Sequence, residues 1–126
     1  MRSPLVAIID DDEALRSSLV DLMHSTGYRA EPFASAETFL ASSNLLDVEC
    51  VIADVHLPGM SGLNLVRKLR EQGDMTPVIL ITGLPDKRLD DEARSIGAQC
   101  LLRKPFETKA LLDCVERSLS YERPPR

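Results

Sequence analysis

A chain of 126 residues with 44% apolar and 28% charged residues fits one domain and is long enough to bury a core. It has no Trp, 4% aromatic residues and a net charge of −5, which argues against a base-stacking platform or a basic nucleic-acid surface. The cysteines, Cys50, Cys100 and Cys114, are odd in number and form no CxxC pair, so they read as reduced thiols in a cytoplasmic protein. Met1-Arg2-Ser3-Pro4 leads into a short apolar run closed by three aspartates, a pattern unlike a signal peptide or membrane span.

Leu5–Ile9 is short, apolar and β-branched and predicts a buried strand. Glu13 to about Ser25 carries Leu15, Leu19 and Leu22 at helical spacing and ends near Gly27. Tyr28–Phe33 predicts a weak second strand, placed at a sheet edge by Pro32. Ser35 starts a short helix running to about Ser42. Val48–Val55 is the next strand, followed by a tight turn at Leu57-Pro58-Gly59-Met60 and a helix capped by Ser61 that buries Leu65, Val66 and Leu69. Pro77–Ile81 predicts a fourth strand, and 86–96 a helix burying Leu89, Ala93 and Ile96. Ala98–Leu102 is the last strand and Glu107–Ser120 the last helix, with Leu111, Val115 and Leu119 inward. Residues 121–126 break the pattern and read as a tail or the start of a linker. The alternation predicts an α/β domain, with helices on both faces of a mostly parallel sheet.

In such a sheet, ligands gather at the carboxyl ends of the strands. The residues leaving those ends are Asp10-Asp11-Asp12, Asp54, Thr82-Gly83 and Lys104-Pro105. If the first and third strands are neighbours, Asp10, Asp11 and Asp54 meet. Crowded carboxylates repel unless a cation neutralises them, and a hard divalent ion such as Mg²⁺ suits oxygen ligands. Lys104 adds a positive charge, Thr82 a hydroxyl and Gly83 an unobstructed N–H, a set suited to phosphoryl transfer with Asp54 as nucleophile. Taken singly, Asp12 suits a helix N-cap better than a ligand, Asp10 and Asp11 suit turns, and Lys104 suits a solvated surface. Their joint placement favours one shared site. His24 reads as a surface residue. His56 borders the site, where its side chain shapes access and its backbone carbonyl is a candidate metal ligand.

The strings Ile8-Ile9-Asp10-Asp11, Asp54 with Leu57-Pro58-Gly59-Met60-Ser61-Gly62, Ile81-Thr82-Gly83 and Lys104-Pro105-Phe106 together resemble the receiver domain of two-component response regulators. The match spans residues 4–120, and the wording around Thr82 and Pro105 is most similar to the FixJ-like branch. The resemblance implies a flavodoxin-like, doubly wound (βα)5 fold with a five-stranded parallel sheet in the order 2-1-3-4-5. It implies that Asp54 accepts a phosphoryl group from a sensor histidine kinase or a small phosphodonor. Mg²⁺ would be bound directly by Asp11, through water by Asp10, and by Asp54 and the His56 carbonyl. Thr82 and Lys104 would hold the phosphoryl oxygens, and the Lys104–Pro105 bond would be cis. Such a domain catalyses only its own phosphorylation and dephosphorylation. Its implied partners are the kinase, an output domain (in this branch a DNA-binding one outside the chain) and a phosphorylation-dependent homodimer, with neither nucleic acid nor membrane bound by this segment.

Two positions depart from the family pattern. The switch position in the last strand, usually Tyr or Phe, is Leu101, and the loop after Gly83 contains Pro85, which restricts the backbone. They bear on how phosphorylation is read out and leave its chemistry intact. A phosphorylation-independent interaction module and a stand-alone phosphorelay adaptor are the alternatives. A nucleotide-binding enzyme is disfavoured, because the first βα turn is rich in Asp where dinucleotide folds need Gly.

Overall fold

Runs rich in Val, Ile, Leu and Ala bury their side chains on both sides, and such runs form the three inner strands of this domain's parallel sheet. A computed structural model describes residues 3–43, 45–84 and 86–120; Pro85 and the 121–126 tail lie outside the described residues. Within them the chain alternates β1 (Leu5–Ile9), α1 (Glu13–Ser25), β2 (Arg29–Phe33), α2 (Ala36–Leu40), β3 (Cys50–Asp54), α3 (Gly62–Glu71), β4 (Val78–Thr82), α4 (Lys87–Ser95), β5 (Cys100–Arg103) and α5 (Thr108–Ser120). The strands are all parallel and lie in the order β2-β1-β3-β4-β5. β2, with Pro32, is at an edge, as the sequence predicts.

Strand alternation divides the core into two layers. Leu5, Ala7, Ile9, Val51, Ala53, Val78 and Leu80 face α2, α3 and α4 through Phe39, Leu65, Leu69 and Leu89. Val6, Ile8, Cys50, Ile52, Ile79 and Ile81 face α1 and α5 through Leu19, Met23, Leu111 and Val115. Each Val, Leu or Ile side chain among them, fully buried, contributes roughly 1.5–3 kcal/mol. Asp12, Ser35, Ser61 and Asp86 cap the four helices that follow them, each side chain accepting a backbone N–H of the first turn.

The differences from the sequence reading are local. Leu45–Asp47 forms a 3₁₀ turn that takes up the approach to β3, so that strand is shorter than the predicted Val48–Val55. β4 and β5 each begin and end later than expected, because Thr82 pairs in register with Arg103 and extends both strands to the site edge. α1 buries Met23 beside Leu19, with Leu15 and Leu22 only partly covered, and α5 buries Cys114 and Ser118 while Leu119 packs at the margin. Cys50 and Cys114 are buried, but Cys100 is only half-buried, because β5 is the outer strand on its side.

Candidate functional site

β1 and β3 are adjacent, and both end at the same edge in aspartates. Asp10, the residue after β1, is 2% exposed, and Asp54, the last of β3, is 6% exposed. Asp11 is exposed beside them. Carboxylate oxygens of all three lie within 4.8 Å of one another. Lys104 follows β5 and reaches across: its Nζ donates to Asp54 Oδ2 at 2.8 Å and sits 3.8 Å from Asp10 Oδ2. The Lys104–Pro105 peptide is cis, as the resemblance implies.

In the two buried carboxylates a backbone N–H two residues on anchors one oxygen. Asp54 Oδ1 accepts the His56 N–H at 2.7 Å, and Asp10 Oδ1 accepts the Asp12 N–H at 2.8 Å. Asp10 Oδ2 is buried without a hydrogen-bond partner. Burial pushes the Asp10 carboxyl above its ordinary range. The Asp12 N–H and Lys104 oppose this, and the charges of Asp54 and Asp11 add to it. Burial alone would lower the Lys104 ammonium, but the hydrogen bond and charge of Asp54, followed by the charge of Asp10, outweigh it and hold Lys104 above its ordinary value. An orphaned, buried anionic oxygen beside two further carboxylates is a donor set that fits a hard divalent cation.

The remaining predicted residues divide between the edge and the strand interior. Thr82 ends β4 fully buried, its Oγ1 accepting the Leu84 N–H at 3.1 Å, and the His56 ring nitrogen lies 3.4 Å from the same oxygen. Leu101 lies back from the edge, in register with Leu80, and packs against the layer that contains Leu89 and Ala93. Asp12 is the N-cap of α1, accepting from Ala14 and Leu15, and His24 is exposed. A Cβ built on Gly83 meets nothing within 4 Å, so no close contact demands glycine there.

Sequence reasoning missed three participants. A Cβ on Gly62, the first residue of α3, would lie 2.5 Å from the Asp54 carbonyl oxygen, so only glycine lets α3 start against β3. Glu37 accepts the Met60 N–H at 2.9 Å and ties α2 to the loop behind Asp54. That N–H holds the Glu37 carboxyl below its ordinary value. Arg16 donates from Nη1 to the Asp10 carbonyl at 2.6 Å. Arg16 carried a signal, because a cation in the opening turns of a helix opposes the macrodipole and calls for a local partner.

A doubly wound sheet that gathers three carboxylates, a hydroxyl and a lysine at its carboxyl edge has the architecture of a receiver-type signalling domain. The family model for the response regulator receiver domain matches residues 6–116, and the chain belongs to that family. It is 41% identical over 114 residues to the transcriptional regulatory protein FixJ of Azorhizobium caulinodans, covering 90% of this chain and 54% of that protein. It is 37% identical over 118 residues to the response regulator protein TodT of Pseudomonas putida, covering 94% and 52%. The crystal structure of FixJ-N superposes with a TM-score of 0.86 at 34% identity, covering 97% of this chain and 98% of that one. The chain thus spans about half the length of the curated relatives it matches. Among the described residues, no helix is long and apolar enough to cross a membrane.

Proposed function

We propose that Asp54 is the phosphoacceptor of a two-component signalling pathway. The observation that carries this reading is the Asp54 carboxylate itself, buried at a strand end, with Lys104 Nζ at 2.8 Å and two other carboxylates beside it. An oxygen of Asp54 attacks the phosphorus of a phosphohistidine on a sensor kinase; the new O–P bond forms as the P–N bond breaks, and the imidazole leaves with the electron pair. Lys104 and the Thr82 hydroxyl donate to the phosphoryl oxygens, the Thr82 oxygen being the one that accepts the Leu84 N–H. Asp10, Asp11, Asp54 and the His56 carbonyl would hold Mg²⁺, which when bound supplies charge neutralisation for the incoming phosphoryl group. Leu101 takes the switch position behind Thr82 and repacks when Thr82 moves. The domain turns over no substrate beyond its own acyl phosphate.

FixJ is named a transcriptional regulatory protein, and its homology supports an output through a DNA-binding domain outside this chain. The free cysteines, with burial pushing the Cys50 thiol up to about 12, fit a reducing cytoplasm. Incubation with a small acyl phosphate and Mg²⁺ is expected to add one phosphoryl group to the wild type and none to Asp54→Asn. An unlabelled wild type would sink the phosphoacceptor reading and leave a phosphorylation-independent interaction module.

A further inference from the structure

The turn between β1 and α1 presents two of the three clustered carboxylates, and backbone hydrogen bonds fix its shape. The Asp10 N–H donates to the Phe33 carbonyl at 3.1 Å, which ties the turn to β2. Asp10 Oδ1 accepts from the Asp12 N–H, so the other carboxylate oxygen is the one left to face the cluster. The third tie is Arg16, whose Nη1 donates to the Asp10 carbonyl at 2.6 Å. Arg16 is half-buried and shares a groove with Glu13 and Asp21, yet among the described residues it forms no ion pair. A guanidinium that bypasses neighbouring carboxylates for a neutral carbonyl spends its hydrogen bond on the orientation of one peptide plane, the one joining Asp10 to Asp11.

We propose that Arg16 is a positioning residue of the acidic pocket: by holding the Asp10 carbonyl it fixes the turn that presents Asp10 Oδ2 and the Asp11 carboxylate to a divalent cation. The inference rests on the metal-binding reading above and extends it to a residue that is not itself a ligand. Groups that orient metal ligands from behind typically change metal affinity by about 10–100-fold when removed. Positioning and bare electrostatics make opposite predictions here. As a mere positive charge near three carboxylates, Arg16 repels a cation, and its removal would tighten binding. As the clamp on the turn, its removal loosens binding.

The test is calorimetric titration of Mg²⁺ into wild type, Arg16→Met and Arg16→Lys, all stripped of metal beforehand. Arg16→Met keeps the apolar stem and is expected to weaken the Mg²⁺ Kd by about tenfold. Arg16→Lys retains one donor and should fall between the two. The Asp12 amide resonance, recorded without metal, should shift in Arg16→Met, because its partner Asp10 is no longer held. An unchanged or tighter Kd in a folded Arg16→Met overturns the proposal while leaving the cation site standing. A wild type that binds no Mg²⁺ overturns both. A lowered melting temperature with an unaltered Kd assigns Arg16 a structural role only and also overturns it. Should Arg16→Met fail to fold, Arg16→Lys decides alone, a weakened Kd at full helical content supporting the clamp and a wild-type Kd refuting it.

Discussion

Asp10 sets the cost of building this site. Its carboxyl is buried with one oxygen unpartnered, and its folded pKa is raised above the unfolded value by that burial. Between those two pKa values the folded state binds more protons than the unfolded one, so stability falls as pH rises through that window, and the penalty is complete only above the folded pKa. Asp10→Asn removes the charge and keeps the shape. Without metal, at pH 7, it is expected to raise stability by about 1 kcal/mol, a shift of a few degrees in Tm. The gain should vanish once the pH falls below the ordinary carboxylate range. Thermal denaturation in chelator across pH measures this, and a variant less stable than wild type at pH 7 would show that Asp10 is satisfied in a way its contacts do not reveal.

Among the elements, the approach of α3 to β3 shows what could and could not be read in the sequence. The strand ends are legible because charged residues interrupt long apolar runs, which by itself places Asp10, Asp54 and Lys104 at one edge. Strand order came with the family resemblance, since spacing alone does not choose between neighbours. Gly62 stood in a recognised string, but its reason was invisible: a glycine needed for close approach leaves no periodicity or polarity signal. Glu37 was illegible for a related cause, because it acts on a backbone group that the sequence does not show, and for Arg16 the sequence signals the need of a partner but not which backbone group supplies it. Gly62→Ala forces its Cβ onto the Asp54 carbonyl and is expected to cost about 1–3 kcal/mol. Gly83→Ala, with open space around it, should change stability by less than about 0.5 kcal/mol. Paired urea denaturation curves compare the two, and equal effects would reject the steric account of Gly62.

At the scale of the whole molecule, the site exists only when the chain is folded. Its carboxylates come from the turn after β1 and the end of β3, its lysine follows β5, and Lys104 stands 94 positions after Asp10 in the chain. The unfolded chain therefore offers a cation no comparable cluster, and folding gathers like charges that repel. A ligand that binds only the folded state stabilises it by an amount set by its concentration over its Kd, about 2.7 kcal/mol at a hundredfold excess. For a domain of this size that corresponds to a rise of about 10 °C in Tm. Mg²⁺ titration followed by circular dichroism at constant ionic strength is expected to show this rise, with Tm climbing as the logarithm of concentration once the ion exceeds its Kd. Asp11→Asn removes the exposed carboxylate of the cluster without disturbing the buried pair, so its curve should be nearly flat. General screening of the net charge of −5 would also raise Tm, but NaCl would then match Mg²⁺ and Asp11→Asn would respond like wild type. Those two controls separate a bound ion from a salt effect, because only binding depends on carboxylates brought to the same few ångströms by different strands.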